Sequence, residues 1–469
     1  MELLLVLLLF LALPVLPARG GSPAPAQAPA PTPRRAAVRL ELARVDANLT
    51  GHDLIRRAVQ RSLGRPGVVA GARPGTGAGA GAGGGAVRAA ADKGEAPVVA
   101  GGGEYLVKLG IGTPQHVFSA AIDTATNLVW MQCQPCVSCY RQLDPFFNPR
   151  LSSSFAVVPC TSDTCGELDE HRCRSEDDDA CQYTYKYSGN GETKGTLAIE
   201  KLAIGSDVFH GVVFGCSDSS AGGPPAQASG LAGLGRGPLS LVTQLSVRRF
   251  MYCLPPPTSA TPGKLVLGPG VDAVRNVSDK VTVTMSSSMR YPSYYYLNLD
   301  GLAVGDQTPR RAAARVRSAA AAATTTPPDT PGGGGSANAY GMIVDVASTI
   351  SFLEASLYEE LAEDLEQEIR LPRATASRRL GLDLCFILPE GVGMDRVYVP
   401  TVSLSFDGRW LELERDRLFV EDGRTMCLMV GKTNGVSILG NFQQQNMHVL
   451  YNLRRGKITF AKANCESMS

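Results

Sequence analysis

The sequence predicts a mostly β fold built from two related lobes, and three observations carry that prediction. From Glu104 onward the chain falls into short alternating segments: EYLVKLGIG, HVFSAAID, NLVWMQC, TYKYS, GTLAIEKLAIG and VFHGVVFGC. They are rich in β-branched and aromatic residues and punctuated by Gly, Pro and Asn, which is strand chemistry. The length of 469 residues, 44% of them apolar, suffices for two hydrophobic cores. The third observation is a repeat: apolar–apolar–Asp occurs at Ala121-Ile122-Asp123 and again at Ile343-Val344-Asp345. Each copy is followed by apolar–apolar–Gly, at Leu231-Ala232-Gly233 and Ile438-Leu439-Gly440. Two copies of one plan imply a duplicated lobe, each presenting one carboxylate on a loop after a strand.

Taken in order, residues 1–20 (MELLLVLLLFLALPVLPARG) read as a secretory signal peptide, because the apolar core is too short for a membrane anchor and no second span follows. Residues 21–102 read as a propeptide and linker. Within them, 36–65 contain one strand and then a helix beginning near Thr50, and 66–103 are Gly/Ala-rich and bury little. The net charge of +1 hides an asymmetry: residues 1–100 carry 12 Lys/Arg against 6 Asp/Glu, leaving 33 against 38 beyond them. A basic leader on an acidic body suits a detachable prosegment, and a disordered basic tail would look the same by charge alone. An N-terminal lobe is expected over 103–280 and a C-terminal lobe over 281–469. A low-complexity surface insertion, 308–338, interrupts the second. One helix stands out by its near-3.6 spacing, Leu353 to Glu368.

Twelve cysteines in a chain with a secretory leader read as disulfides. Cys133, Cys136 and Cys139 have zinc-ligand spacing, but an oxidising compartment and the nearby Cys160, Cys165, Cys173 and Cys181 favour bridges over metal. No cofactor is expected. Asn48-Leu-Thr and Asn276-Val-Ser are glycosylation sequons. No basic block is dense enough for nucleic acid. The sequence has no Gly-x-Ser-x-Gly elbow and no His-Glu-x-x-His, so serine-hydrolase and zincin chemistry are set aside. GLGRGPLS lacks the Gly-Lys-Ser/Thr of a phosphate loop and reads as a turn.

A single Asp in an Asp-Thr loop is ordinarily a turn or cap residue. Two in a duplicated frame suggest more. Facing carboxylates cannot both ionise cheaply, so they share a proton and titrate as a unit. Such a pair can hold a water, deprotonate it and protonate a leaving group, hydrolysing without metal or covalent intermediate. At these residues the chain resembles the pepsin-like aspartic proteases, in particular their plant nepenthesin-like branch. The matching stretches include GEYLVKLGIGTPQ, IDTATNLVWMQCQPCVSCY, DPFFNPRLSSSFAVVPC, GLAGLGRGPLSLVTQL, LDLCFILPEG and SILGNFQQQNMHVLYNL, spanning roughly 103–466.

That resemblance implies a cleft between two β-lobes, a β-hairpin flap over it, and peptide-bond hydrolysis in acid. Asp123 and Asp345 fall on the catalytic pair. Thr126 and Ser348 fall on hydroxyls that hydrogen-bond the aspartates, Tyr187 on the flap tyrosine and Trp130 on the tryptophan that supports it. The resemblance also implies polypeptide substrates and inhibition by pepstatin-like compounds. A monomer with no membrane anchor after signal removal is expected, secreted to the apoplast or carried to the vacuole. For the cysteines it suggests a cysteine-rich insertion at 133–181. Cys385–Cys427 is expected as a second-lobe bridge and Cys216–Cys465 as one joining the lobes, with Cys253 unassigned and the connectivity otherwise open.

The sequence departs from the family where the chemistry would sit. Ala125 replaces the Gly of Asp-Thr-Gly, and Val346-Ala347 replaces the Ser/Thr-Gly of the second motif. Methyl groups added beside the dyad could crowd water or substrate. Val346 lacks the hydroxyl that braces one loop against the other, leaving only Thr124; such a loss costs about 1–3 kcal/mol where a partner stays buried and unpaired. The flap reads Tyr-Ser-Gly-Asn-Gly rather than Tyr-Gly-Asp-Gly. An alternative function follows, that of a catalytically weak or inert binding or inhibitor protein keeping the same cleft.

Overall fold

Each alternating segment overlaps a strand: Gly101–Ile111, His116–Asp123, Val129–Gln132, Cys181–Tyr187, Gly191–Ile204 and Asp207–Ala221. The computed structural model describes residues 38–45, 62, 101–173, 179–187, 191–222, 228–256, 259, 261–268, 277–286, 292–305, 340–374 and 380–467. Residues 1–20, the sequons at Asn48 and Asn276, and the 308–338 insertion lie outside this set.

Three sheets carry the mostly β, two-lobed architecture. The largest, of 15 strands, places Val38–Val45 between Gly263–Leu267 and Gly101–Ile111. Beyond Gly101–Ile111 it continues through His116–Asp123, Gly230–Gly233, Val129–Gln132, Asp207–Ala221, Gly191–Ile204 and Cys181–Tyr187. On its other side Arg249–Cys253, Met447–Asn452 and Lys457–Lys462 follow, so C-terminal strands join this sheet. A 7-stranded sheet contains Tyr296–Val304, Tyr340–Val344, Ser437–Leu439, Ser351–Glu354 and Val430–Thr433. A 3-stranded sheet joins Cys385–Ile387, Thr425–Leu428 and Phe419–Asp422.

The repeat read from the sequence is a repeat of strand crossings. Gly230–Gly233 runs parallel to His116–Asp123, with Gly233 opposite Asp123, and antiparallel to Val129–Gln132. Ser437–Leu439 runs parallel to Tyr340–Val344 and antiparallel to Ser351–Glu354. Strands covered on both faces must be apolar on both faces, and Phe118, Ala120, Ala121 and Ile122 are all buried, as are Met342, Ile343 and Val344. The two glycines allow the crossings. A Cβ at Gly233 would lie 2.6 Å from the Thr126 carbonyl oxygen, and one at Gly440 would lie 2.3 Å from that of Ile350.

The long helix runs from Ala355 to Glu368, two residues shorter at its start than its periodicity suggests. Leu353 and Glu354 are taken by sheet pairing with Lys432 and Thr433, and the Glu354 carboxylate caps the helix by accepting from the Ser356 amide at 3.0 Å. Leu357, Tyr358, Leu361 and Leu365 form its buried face. Upstream, the expected leader strand is present at Val38–Val45. Gly101–Gly103, expected to end the linker, instead begin a strand, because Gly101 pairs with Val45.

All twelve cysteines are paired, and one expected bridge is corrected. Cys385–Cys427 forms, as expected. Cys216 does not bond Cys465; it bonds Cys133, while Cys465 bonds Cys253. Sheet register explains the exchange. Met131 lies opposite Cys216 in a parallel pair, which brings Cys133 within reach at the strand's end. Cys253 lies opposite His448, one strand from the C-terminal segment that carries Cys465. The remaining bridges, Cys136–Cys139, Cys160–Cys173 and Cys165–Cys181, stay within the cysteine-rich stretch.

Candidate active site

Each strand of the repeat leads into an aspartate held the same way, Asp123 as the last residue of His116–Asp123 and Asp345 just after Tyr340–Val344. At Asp123, the Ala125 amide donates to Oδ1 at 2.7 Å and the Thr126 hydroxyl to Oδ2 at 3.0 Å. At Asp345, the Ala347 amide donates to Oδ1 at 3.0 Å and the Ser348 hydroxyl to Oδ2 at 2.7 Å. Both aspartates are fully buried. A buried carboxylate is tolerable only when hydrogen-bonded, and both cradles meet that demand with an amide at i+2 and a hydroxyl at i+3. Ala in place of Gly leaves the cradle intact, because the donor is the backbone N–H.

The two loops meet through one hydroxyl. Thr124 Oγ1 donates to the Val344 carbonyl at 3.0 Å and accepts from the Val346 amide at 3.0 Å. Val346, the equivalent residue on the other loop, has no hydroxyl to return, so among the described residues this brace is one-sided. Polar side chains stiffen the second loop from below. Asn441 Nδ2 donates to the Val346 carbonyl at 2.9 Å, Ser351 Oγ accepts from the Gly440 amide at 2.9 Å, and Gln444 Nε2 donates to the Leu439 carbonyl at 2.8 Å. Gln444 also accepts from the Tyr252 hydroxyl, which lies 3.0 Å from that of Tyr451.

The hairpin expected as a flap is formed by Cys181–Tyr187 and Gly191–Ile204, with Tyr187 opposite Gly191. Its tip lies outside the described residues. A Cβ at Gly191 would lie 2.4 Å from the Tyr187 ring, so glycine there makes room for it. Tyr187 packs on Trp130 at 5.3 Å between ring centroids, and both are buried. Trp130 therefore touches the hairpin.

Several residues near the aspartates escaped the sequence reading. The Tyr185 hydroxyl accepts from the Asn127 amide at 3.0 Å. Asn127 in turn accepts from the Gly237 amide at 2.8 Å and donates to the Ser293 hydroxyl. Burial pushes the Tyr185 hydroxyl's pKa upward, and the nearby Asp123 adds to it. Burial also raises that of Tyr294, with Tyr185, Asp123, Tyr296 and Asp345 adding, which places Tyr294 in the field of both aspartates. The only sequence signal for Tyr294 was the run of three tyrosines entering a strand.

Sequence comparison bears directly on this duplicated arrangement. The family model described as xylanase inhibitor N-terminal matches residues 105–269, and that described as xylanase inhibitor C-terminal matches 294–462. "Aspartyl protease 37" of Oryza sativa subsp. japonica is 60% identical, over 99% of each chain.

The chain belongs to the pepsin-like aspartic protease family.

By its relatives the chain is an aspartic protease, a peptide hydrolase. "Aspartic proteinase nepenthesin-1" of Nepenthes gracilis is 37% identical, over 79% of this chain and 80% of its own. Among solved structures, basic 7S globulin from soybean shares the fold with a TM-score of 0.58 at 19% identity, covering 78% of this chain and 95% of its own. The departures at Ala125, Val346 and Ala347 sit on the two aspartate loops themselves.

Proposed function

We propose that this chain is an acid-acting aspartic endopeptidase whose catalytic pair is Asp123 and Asp345. The observation that carries the reading is the matched cradle: despite three altered loop residues, each carboxylate keeps its i+2 amide and i+3 hydroxyl donors. One aspartate is protonated and the other charged, with a water between them. The charged carboxylate takes a proton from the water, whose oxygen bonds to the peptide carbonyl carbon. The protonated carboxyl gives its proton to the carbonyl oxygen. The resulting diol collapses: one of its hydroxyls returns a proton to the carboxylate just deprotonated as the C=O bond re-forms. The C–N bond breaks, and the leaving nitrogen takes the proton first drawn from water, so the dyad ends with its single proton. Thr126 and Ser348 orient the aspartates, and Tyr187, supported by Trp130, closes the hairpin over the substrate.

The protein is made as a secreted zymogen and acts as a monomer. Six disulfides support an oxidising compartment. Both aspartates come from one chain, which supports a monomeric site. Ser62, from the leader, is buried, and its hydroxyl accepts from the amides of Thr349 at 2.7 Å and Ile350 at 3.4 Å. A leader residue thus docks on the loop that carries Asp345, which supports an inhibitory prosegment removed by cleavage within 66–103. No helix among the described residues is long and apolar enough to cross a membrane.

A second reading, a binding protein with little or no cleavage, is favoured by the one-sided Thr124 brace. One experiment separates the two. The purified chain is acidified and offered a denatured protein beside an Asp123→Asn control. Cleavage in acid by wild type alone, blocked by pepstatin-like inhibitors and absent near neutrality, supports the peptidase. Equal residual cleavage by both would assign the activity to a contaminant and sink the proposal.

A further inference from the structure

The cysteine-rich stretch contributes an aromatic residue to the base of the hairpin. Tyr140 follows Cys139 directly, and its ring meets the edge of Trp130 at 6.5 Å and 83°. Trp130 in turn carries Tyr187 at 5.3 Å. Tyr140 is thus the outer member of a three-ring stack, Tyr140–Trp130–Tyr187, that ends on the hairpin. The stack holds three buried polar atoms with no hydrogen-bond partner among the described residues: Tyr140 Oη, Trp130 Nε1 and Tyr187 Oη. Three such groups left bare would be costly; a water bound among them would offset that cost, because a buried water makes two to four hydrogen bonds. Burial and the neighbouring Tyr187 raise the Tyr140 hydroxyl's pKa, so it stays protonated in acid and at neutrality.

Tyr140 is held from two sides. Behind it, the Cys136–Cys139 bridge closes a four-residue loop. That loop is tied to the Asp207–Ala221 strand by the amides of Val137 and Ser138, which donate to the Asp218 carbonyl at 2.8 and 3.2 Å. Beneath it, the fully buried Gln132 donates from Nε2 to the Tyr140 carbonyl at 3.1 Å and to Gln142 Oε1 at 2.6 Å, while its own Oε1 accepts from Ser220 at 2.6 Å. Gln132 stands two residues beyond Trp130 on the same strand, so it and Trp130 project from one face. The whole arrangement fixes a tyrosine against the tryptophan that supports the hairpin.

We propose that Tyr140 is a positioning residue for the Tyr187 hairpin, acting through Trp130 and a bound water shared by the three buried polar groups. The role in turnover rests on the peptidase reading. Positioning of the hairpin does not. A hairpin held open more of the time grips substrate less well, so the effect falls on KM more than on kcat.

The test compares the full chain with Tyr140→Phe, which keeps the ring and removes the hydroxyl, and with Tyr140→Ala, which removes both. For Tyr140→Phe, KM for a peptide substrate rises about tenfold, the effect of one well-placed hydrogen bond. In the same variant kcat stays within about twofold and the melting temperature does not move measurably. Amide hydrogen exchange in peptides covering 181–204 accelerates, more in the Ala variant, while exchange in 340–374 is unchanged. If wild type cleaves nothing, the peptidase reading fails alone, and the exchange measurement still decides the role of Tyr140. Wild-type exchange over 181–204 in both variants overturns the proposal. So does a loss in which melting temperature and kcat fall together at constant KM, because that is the mark of a merely structural residue.

Discussion

Replacing Thr124 by valine removes one oxygen and keeps the side chain's shape, so it isolates the bond between the two aspartate loops. That hydroxyl serves two partners at 3.0 Å each, the Val344 carbonyl and the Val346 amide, and both residues are fully buried. Water cannot replace the lost bonds without opening the loops. Each buried group left unpaired costs about 1–3 kcal/mol, so Thr124→Val is expected to lose about 2–5 kcal/mol. That is a large share of the roughly 5–15 kcal/mol by which folded proteins are stable. Urea unfolding of the purified chain at fixed pH reads the loss as a lower midpoint at unchanged slope. The duplicated frame makes a reciprocal prediction. In Val346→Thr the new hydroxyl faces the first loop as Thr124 faces the second, and it should regain about 0.5–1.5 kcal/mol. Combined in a double-mutant cycle, the two changes should couple, because both act on one loop contact. A loss below about 0.5 kcal/mol for Thr124→Val would place it among neutral surface changes and refute the claim that this hydroxyl joins the loops.

Three further outcomes are expected. Gly440→Ala would drive a Cβ to 2.3 Å from the Ile350 carbonyl oxygen, a backbone atom that cannot swing aside, so the variant should lose about 1–3 kcal/mol or more and be recovered in low yield; wild-type yield and melting would contradict the crossing described above. Asp144 accepts from the Ser119 amide at 2.7 Å, from the Ser229 hydroxyl at 3.0 Å and from Lys108 at 3.0 Å. Burial alone would raise its pKa, but the hydrogen bonds of Ser119 and Lys108 and the Lys108 charge outweigh burial and hold it low. A lowered folded pKa stabilises above the unfolded value of about 3.9 and is lost as pH falls through the folded one. Asp144→Asn should therefore cost stability at pH 6 and flatten the decline of stability in strong acid, and an unchanged acid profile would remove Asp144 from that role. Cys253→Ser with Cys465→Ser opens a bridge between residues 212 apart and should cost about 2–5 kcal/mol, while a chelator leaves wild type unaffected; stoichiometric zinc in the pure protein would contradict this.

What the sequence determined by itself was whatever repeats or alternates locally. Strand segments follow from alternation, and the duplicated Asp and Gly motifs follow from two copies of one crossing, where each glycine is required because a carbonyl passes over it. Thr126 and Ser348 were named only through the family resemblance, and in the structure each hydroxyl bonds its own aspartate three residues earlier. The tertiary structure decided what depends on neighbours distant in the chain. Cys133 and Cys253 found their partners through sheet register, which no spacing among twelve cysteines reveals. The helix began at Ala355 rather than Leu353 because a neighbouring strand claimed the two residues before it. Tyr294 came near both aspartates, and Tyr140 came against Trp130, only when separate segments packed together. The physical reason is common to all four: local steric and hydrogen-bonding preferences are written along the chain, but burial and contact between remote segments exist only once the whole chain has folded.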